Sequence, residues 1–256
     1  MQELETIKDT EKGLYVYCAA EYNDTAPYTL GNIGIENNEV FVIASNGICL
    51  VVHACDAKPY ASKNENEVKG WVKAHHDVID AASKIFPAVV PFSFDVIIKG
   101  SDPAGVAVNW LESERDKILE KIERIKGREE YIIQIFWEKA ITKRHLMAKE
   151  KFQVLDKEIK NMSEGTAYLH KQKLEKALEK EAEKLAEEYF QFFYSKIKKH
   201  SDDIKVEKVE DTMLMNISCL VNKENVRNLG AELETILDMN EFSVRFVGPF
   251  PPYSFV

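Results

Sequence analysis

The sequence has few cysteines and no pair of them with the spacing of a metal or redox motif. Cys18, Cys49, Cys55 and Cys219 are scattered along the 256 residues, and no two of them form a CxxC pair. Such pairs are typical of structural zinc sites and of thiol–disulfide enzymes. The four cysteines are therefore predicted to be small buried side chains in a reducing compartment, without disulfides and without a metal.

Basic residues are also fewer than acidic residues. The chain has 34 lysines and arginines against 43 aspartates and glutamates, which gives a formal net charge of −9 at pH 7. Proteins that bind the phosphates of nucleic acid need a positively charged surface. The composition therefore argues against nucleic acid as a partner.

Long apolar runs are missing as well. No stretch approaches the roughly 18 apolar residues that a membrane span requires. The first residues, MQELETIKDTEK, lack the basic-then-apolar layout of a secretory signal. The expectation is a cytoplasmic protein without a membrane span.

Motifs of cofactor chemistry are absent. Neither GxGxxG nor GxxxxGK occurs in the sequence. Cys49, His53 and Cys55 share one face of a predicted strand, but residues four apart on a regular strand are separated by about 13 Å, too far to bind one ion. The sequence therefore predicts neither a metal site nor a cofactor.

Three further polar residues are candidates for chemistry. His75 and His76 are adjacent on a predicted helix and point about 100° apart, so at most one of them can face a site. The favoured interpretation is one buried, hydrogen-bonded histidine between helix and strand. Asp95 has no partner base in its motif, so acid–base catalysis is not favoured, and no catalytic residue is assigned.

The first half of the chain has the patterns of an α+β domain. Asn46-Gly47 between two β-branched runs predicts a hairpin, and residues 31–35 are expected to pair outside it. Asn64 is a predicted helix N-cap and Pro87 a helix stop, while Asp102-Pro103 begins a second helix, expected to link two domains. The predicted strands are 13–19, 40–44, 48–54 and 88–98, and the predicted helices are 65–85 and about 103–126.

The second half has the order β-α-β-β-α-β, which is typical of a ferredoxin-like domain. Residues 140–160 are predicted to form an additional helix. Together with the helix that follows, it is expected to form an inserted, protruding hairpin. The predicted domains are 1–126, an α+β meander-plus-helix domain with the linking helix, and 127–256, a ferredoxin-like domain with the hairpin and a docked C-terminal tail. Its predicted strands are 130–137, 204–209, 213–221 and 242–247, and its predicted helices are 140–160, 168–199 and 223–238.

The hairpin helix 168–199 combines an apolar stripe with dense charge. Its stripe is expected to pack on the helix 140–160. Its charges are expected to pair locally, as a solvated face; a partner-binding helix is the alternative. The stripe residues are Leu178, Leu185, Tyr189 and Phe193, and the expected pairs are Lys176–Glu179, Lys180–Glu183, and Lys184 with Glu187 or Glu188.

The chain ends in GPFPPYSFV, a cluster of prolines and aromatics. Proline fixes φ and removes a backbone donor, so the tail is expected to run extended, as neither helix nor central strand. Its aromatic side chains favour docking on the protein, and a stabilising staple is preferred over a contact surface for a partner. The residues assigned to this tail site are Pro249, Phe250, Pro251, Pro252, Tyr253 and Phe255.

Four stretches resemble the gas vesicle protein F/L family: GLYVYC, AHHDVIDA followed by VVPFSF, GTAYLHKQK, and the tail GPFPPYSFV. The resemblance covers nearly the whole chain. Phe250 stands where the family usually has tryptophan, a conservative change. Asp95-Val96 stands where the family commonly has Gly-Thr, so a backbone contact that relies on that glycine is in question.

The resemblance implies a two-domain α+β accessory protein of gas vesicle formation. Such a protein is expected to be non-enzymatic, to bind the small hydrophobic shell subunit, and to take part in vesicle nucleation or assembly, with other gas vesicle accessory proteins as further partners. The alternative is a ferredoxin-like protein that binds or converts a small molecule.

Overall fold

The structure is a computed structural model that describes residues 11–23, 25–137, 139–210 and 213–256. Within these residues it is a mixed α+β protein with two sheets and six α-helices. The chain divides into two compact units. The first comprises the residues up to Glu129 together with Phe250–Val256, and the second comprises Glu130–Pro249.

The first unit is a six-stranded sheet covered by one long helix on each face. The elements are β1 Lys12–Glu21, β2 Thr29–Gly31, β3 Val40–Ser45, β4 Ile48–Asp56, α1 Glu65–Ile85, β5 Val89–Pro91, β6 Ile97–Lys99 and α2 Pro103–Ile125. The sheet order is β2-β3-β4-β1-β5, and β6 also pairs with β1.

Local sequence signals explain most of these boundaries. The predicted hairpin is confirmed, since Ser45 pairs with Ile48 and both Asn46 and Gly47 have positive φ. The predicted cap is confirmed as well, because the side chain of Asn64 accepts the backbone N–H of Asn66 at 3.1 Å. Asp102 caps α2 in the same way, by accepting the N–H of Gly105 at 3.0 Å.

Two predictions for this unit need correction. The strand expected over 88–98 is two short strands, because Asp95 adopts a left-handed φ of 71° between them. In the region 31–35, only Gly31 belongs to the strand beside the hairpin, which is β2, and Ile35–Asn37 forms a 3-10 turn. The helix α2, predicted as the linking helix within the first domain, packs on the sheet of the first unit through Leu111, Ile118 and Ile122.

The core of the first unit has two layers, one on each face of the sheet. Alternate residues of β1 and β4 point to opposite faces, as the two-residue period of a strand requires. On one face they pack with α2, and on the other with α1, where Val78, Ile79 and Ala82 are fully buried. Both sides of the central strands are therefore apolar.

The second unit is a four-stranded sheet with order β10-β7-β9-β8 and four helices. Its core is made by the sheet, α6 and the C-terminal half of α5. The elements are β7 Arg128–Trp137, α3 Lys139–Met147, α4 Glu150–Lys160, α5 Glu164–Lys198, β8 Asp203–Val206, β9 Met213–Asn222, α6 Val226–Leu237 and β10 Phe242–Phe250.

The hairpin differs from its prediction in two ways. The helix expected over 140–160 is interrupted, since α3 ends at Met147 and α4 begins at Glu150. The apolar stripe of α5 is divided between two clusters: Leu178 packs with α3 and α4, whereas Phe193 packs on the sheet, with its ring 5.0 Å from that of Phe242. A 35-residue helix is about 52 Å long, so one neighbour cannot cover it all.

The tail also departs from its prediction. The last strand, expected to end at residue 247, continues to Phe250, and Tyr253–Phe255 forms a 3-10 turn after Pro252. The expectation that the tail contains no helical residue is therefore wrong. Pro249, which has no backbone N–H, is compatible with β10 because β10 is an edge strand, and proline in sheets is tolerated on edge strands.

Candidate functional site

The final residues pack on the first unit. Phe255 is 1% exposed and Pro252 is buried, while Pro251 is partly buried. Tyr253 packs with the core layer on the α1 face of the sheet, and Val256 packs with the layer on the α2 face. The tail therefore contacts both layers of one core.

The other two tail residues of the assigned site differ from these. Phe250 is 37% exposed and Pro249 is exposed. The structure thus brings together only part of the set selected from the sequence. Its buried members contribute apolar packing, and its exposed members leave one aromatic ring available at the surface.

A network of tyrosine and histidine side chains lies inside the first unit, on the α1 face of the sheet. Tyr15 lies 2.9 Å from Nδ1 of His75, and Tyr17 lies 2.7 Å from Nδ1 of His53. Nε2 of His53 is 2.9 Å from the hydroxyl of Tyr60. Both histidines are essentially inaccessible to solvent. The expectation that one of His75 and His76 is buried and hydrogen-bonded between helix and strand is confirmed for His75.

The backbone fixes the direction of these hydrogen bonds. Nε2 of His75 lies 3.2 Å from the carbonyl of Phe92, which can only accept, so neutral His75 carries its proton on Nε2. Its Nδ1 then accepts from Tyr15, whose oxygen accepts the N–H of Asp95. Burial lowers the pKa of both His53 and His75 to about 4, so each is neutral near pH 7.

Asp95 is a structural member of this network. It adopts a left-handed φ of 71°, a conformation that favours glycine and that Asp and Asn tolerate best among other residues. Its carboxylate accepts the N–H of Tyr60 at 3.0 Å. Asp95 thus has a glycine-like backbone conformation, and its side chain adds a hydrogen bond.

The cysteines carry no visible chemistry. Cys18 and Cys49 are buried, and burial raises the pKa of the Cys49 thiol to about 12. Within the described ranges, no group of three or more His, Cys, Asp or Glu side chains is placed to hold a metal ion. Nor does any described helix combine the length and the apolar character needed to cross a bilayer.

The second unit carries an apolar groove of about 970 Å³. It runs between the α3–α5 side of the unit and the β8–β9 hairpin. Val206 and Val209, on the β8 side, are 55% and 51% exposed. The remaining apolar lining is Trp137, Leu146, Leu178, Ala182, Ala186, Phe190, Met213 and Leu214.

Negative charge surrounds this groove. Its lining includes six glutamates and a single cation, Lys143. Four of the glutamates follow one another at four-residue intervals along α5, so they lie along one face of the helix. The six are Glu175, Glu179, Glu183, Glu187, Glu207 and Glu210.

The expected local pairing of the α5 charges is only partly present. Lys184 pairs with Glu188 at 3.7 Å. Across the part of the chain that the structure describes, however, no ion pair joins Lys176 to Glu179 or Lys180 to Glu183, and those two predictions are wrong. Glu179 and Glu183 therefore line the groove without the lysine partners that the sequence predicted for them.

The groove is not evident from the sequence. The four-residue spacing of Glu175, Glu179, Glu183 and Glu187 is a visible signal, but the lysines between them give an equally good local explanation. The second wall, which includes Val206, Val209, Met213 and Leu214, is joined to α5 only by the tertiary fold. The spacing of the glutamates on α5 therefore cannot indicate that a second wall faces them.

Comparison with known proteins gives one consistent family. The model of the family described as gas vesicle synthesis protein GvpL/GvpF matches residues 13–256. Gas vesicle protein L1 of Halobacterium salinarum is 24% identical over 260 residues, which covers 97% of this chain and 92% of the relative. Gas vesicle protein L of Haloferax mediterranei is 28% identical over 234 residues, covering 87% and 72% respectively.

Two solved structures share the fold. The crystal structure of the gas vesicle protein GvpF from Anabaena sp. PCC7120 is similar with a TM-score of 0.75 and 19% identity, covering 95% of this chain and 98% of that one. GvpF from Microcystis aeruginosa gives a TM-score of 0.66 and 18% identity, with the same coverage. At these identities the likeness shows a common fold.

Proposed function

From the premise that this chain belongs to the GvpL/GvpF family of gas vesicle synthesis proteins, we propose that it is a non-enzymatic accessory protein of gas vesicle formation. In this proposal it binds the small hydrophobic shell subunit and takes part in vesicle nucleation or assembly. It acts in the cytoplasm and at the gas vesicle, with other accessory proteins as further partners.

The observation that carries this proposal is the extent of the family match. Residues 13–256 include elements of both compact units and the whole tail. A match confined to one domain would support a shared fold only. A match through both units and the tail supports a shared role for the complete described architecture.

The buried polar groups support a non-enzymatic role. Both ring nitrogens of His53 and of His75 lie within hydrogen-bonding distance of protein groups. A general base instead needs a nitrogen directed at a substrate in a cleft. Here the histidines connect β1 and β4 to α1 and to the segment around Tyr60, so their role is to hold the first unit together.

Two finer structural statements belong to the same proposal. The second unit is proposed to be a ferredoxin-like domain with α3, α4 and part of α5 as the inserted hairpin, a proposal that its strand order β10-β7-β9-β8 supports. The tail residues from Pro249 to Phe255 are proposed to act as a staple on the first unit. Burial of Pro252 and Phe255 supports that role.

The experiment is capture of the shell subunit by the purified full-length protein. We expect co-purification of the two proteins, and native mass spectrometry of the free protein without a stoichiometric small molecule. Cells that lack the gene should form few vesicles and recover them when the gene is restored. A bound metabolite, or normal vesicles without the gene, would instead support the alternative of a small-molecule protein.

A further inference from the structure

We propose that the groove of the second unit binds a basic amphipathic helix from another polypeptide, with the apolar stripe of that helix against the groove floor and its lysines or arginines against the glutamates of α5. This inference rests on the second unit alone and does not depend on the proposed function. The apolar surface, the charge and the shape of the groove each favour a helix of this kind as the occupant.

The apolar surface of the groove is open to a partner. Val206 and Val209, which line the groove opposite α5, are more than half exposed. Exposed apolar surface rimmed by polar residues is typical of protein interaction sites, because water contact with it is unfavourable. Binding of an apolar partner that covers this surface is therefore favourable.

The charge of the groove is negative. Glu175, Glu179 and Glu183 have no ion-pair partner among the described residues, and Lys143 is the only cation among the residues that line the groove. An acidic partner would be repelled, whereas a basic one is attracted and steered toward the groove. The negative charge of the groove therefore favours a positively charged partner.

The shape of the groove suits a helix. Its α5 side runs from Glu175 to Phe190, which at 1.5 Å per residue is about 22 Å. That length matches about four turns of a docked helix. The glutamates repeat every four residues, which is also the spacing of neighbouring side chains along one face of a helix.

An extended strand fits less well as the occupant. The edge strand β8 spans only Asp203–Val206, which is shorter than a usual strand. Beyond it, the N–H of Glu207 donates to the carbonyl of Asn216, and the carbonyl of Lys208 accepts from the side chain of Asn216. The chain just after Val206 is therefore also bound to β9, and the edge strand that another strand could join is only four residues long.

The test uses the full-length protein and a labelled synthetic helix of about 18 residues, with leucines forming one stripe and lysines on both sides of it. Fluorescence anisotropy measures its affinity in about 50 and about 500 mM NaCl. A second peptide with glutamate in place of each lysine is the ligand control. In about 50 mM NaCl we expect the lysine peptide to bind at least about tenfold more tightly than the glutamate peptide. In about 500 mM NaCl it should lose most of that advantage.

Matched variants locate the site. E183K reverses a charge on the groove rim, whereas E188K makes the same change on the same helix outside the lining. We expect E183K to weaken binding of the lysine peptide by about fivefold or more and E188K by less than about twofold. V209S tests the apolar wall without changing the charge of the groove and without involving α5, and should weaken binding by about tenfold.

Several results would overturn the inference: no binding of the lysine peptide at about 1 mM, equal binding of both peptides, or equal effects of E183K and E188K. Circular dichroism of each variant checks that its fold is unchanged. Capture of the shell subunit by wild-type protein that fails to bind the lysine peptide would reject the groove alone and leave the proposed function standing.

Discussion

The hydroxyl of Tyr253 lies 3.0 Å from Nδ1 of His76, although the two residues are 177 positions apart in the chain. Their rings also meet edge to face, with centroids 5.4 Å apart. This contact joins the last turn of the chain to α1. It places the neighbouring Phe255 in a fully buried position of the first unit.

Phe255→Ala should lower the free energy of unfolding by about 3 to 5 kcal/mol, because it removes a fully buried aromatic side chain and leaves a cavity. Phe250→Ala is the matched control. That ring is 37% exposed, and its loss should cost less than about 1 kcal/mol. Urea denaturation of both variants measures the difference.

The same pair separates the two interpretations of the tail. If the tail is a staple, Phe255→Ala lowers the free energy of unfolding. The amount of shell subunit captured then decreases only in proportion to the loss of folded protein. If the tail is a contact surface, Phe250→Ala weakens capture while the urea midpoint stays unchanged. Equal, small effects of both substitutions on stability and capture would contradict both interpretations.

Stability should depend on pH through His53 and His75. Burial lowers the pKa of both to about 4 in the folded state, below the ordinary value near 6.5 that applies when the chain is unfolded. The unfolded chain therefore binds more protons between these values. The histidines' contribution to stability is complete above about pH 6.5 and is lost as the pH falls toward 4.

Between pH 7 and pH 5 this loss should be about 2 kcal/mol for each histidine. Free carboxyl groups have ordinary pKa values near 4, below that interval, so the slope between pH 5 and pH 7 reports mainly on histidines. The double variant H53Q/H75Q should flatten the dependence, since glutamine offers a donor and an acceptor without titrating there. H170Q, on α5 outside the network, should keep the wild-type slope. A double variant with the wild-type slope would show that other groups cause it.

Local signals predict the elements of the first unit well. Asn46-Gly47, Asn64 and Asp102-Pro103 each specify a turn or a cap through their own backbone or side chain, so no distant residue is needed. In the 88–98 strand Pro91 is a local signal for an edge position or a bulge, but the left-handed φ of Asp95 has no such signal. It depends on Asp95 being held by Tyr15 and Tyr60, which lie 80 and 35 positions away.

The groove and the charge distribution of α5 could not be predicted in the same way. Lys180 lies within reach of Glu183 along the helix, so a local pair is reasonable from the sequence. Exposed pairs contribute little free energy, however, and long side chains often stay apart in water. Whether Glu183 faces a groove depends on where Val209 lies, which only the tertiary fold decides.

Asp95 should tolerate asparagine and glycine better than alanine. Asparagine keeps an oxygen that can accept the N–H of Tyr60 and tolerates a left-handed φ, so Asp95→Asn should change stability by less than about 0.5 kcal/mol. Asp95→Ala loses both advantages and should cost about 1 to 2 kcal/mol. Asp95→Gly relieves the backbone but loses the acceptor, and should lie between. Thermal or urea unfolding gives the order, and alanine at or above asparagine would contradict it.

Gly248 begins the tail and should not accept a side chain. Its φ is +148°, and a Cβ there would lie 2.6 Å from Cδ1 of Tyr131 and 2.9 Å from the carbonyl oxygen of Glu130. The ring of Tyr131 is stacked on Phe246, with centroids 4.9 Å apart, so it has little room to move away. Gly248→Ala should therefore cost about 2 to 3 kcal/mol through overpacking and backbone strain.

Gly230→Ala supplies the matched control for this prediction. Gly230 lies inside α6, and a Cβ added there would meet no heavy atom within 4 Å outside its own turn of helix. Alanine there should stabilise the protein by about 0.5 to 1 kcal/mol, because glycine is a poor helix former. Opposite signs for the two substitutions in urea denaturation would locate the constraint at the start of the tail. A neutral Gly248→Ala would mean that β7 and β10 adjust to the added methyl group, and that the close approach of Gly248 to Tyr131 is not required.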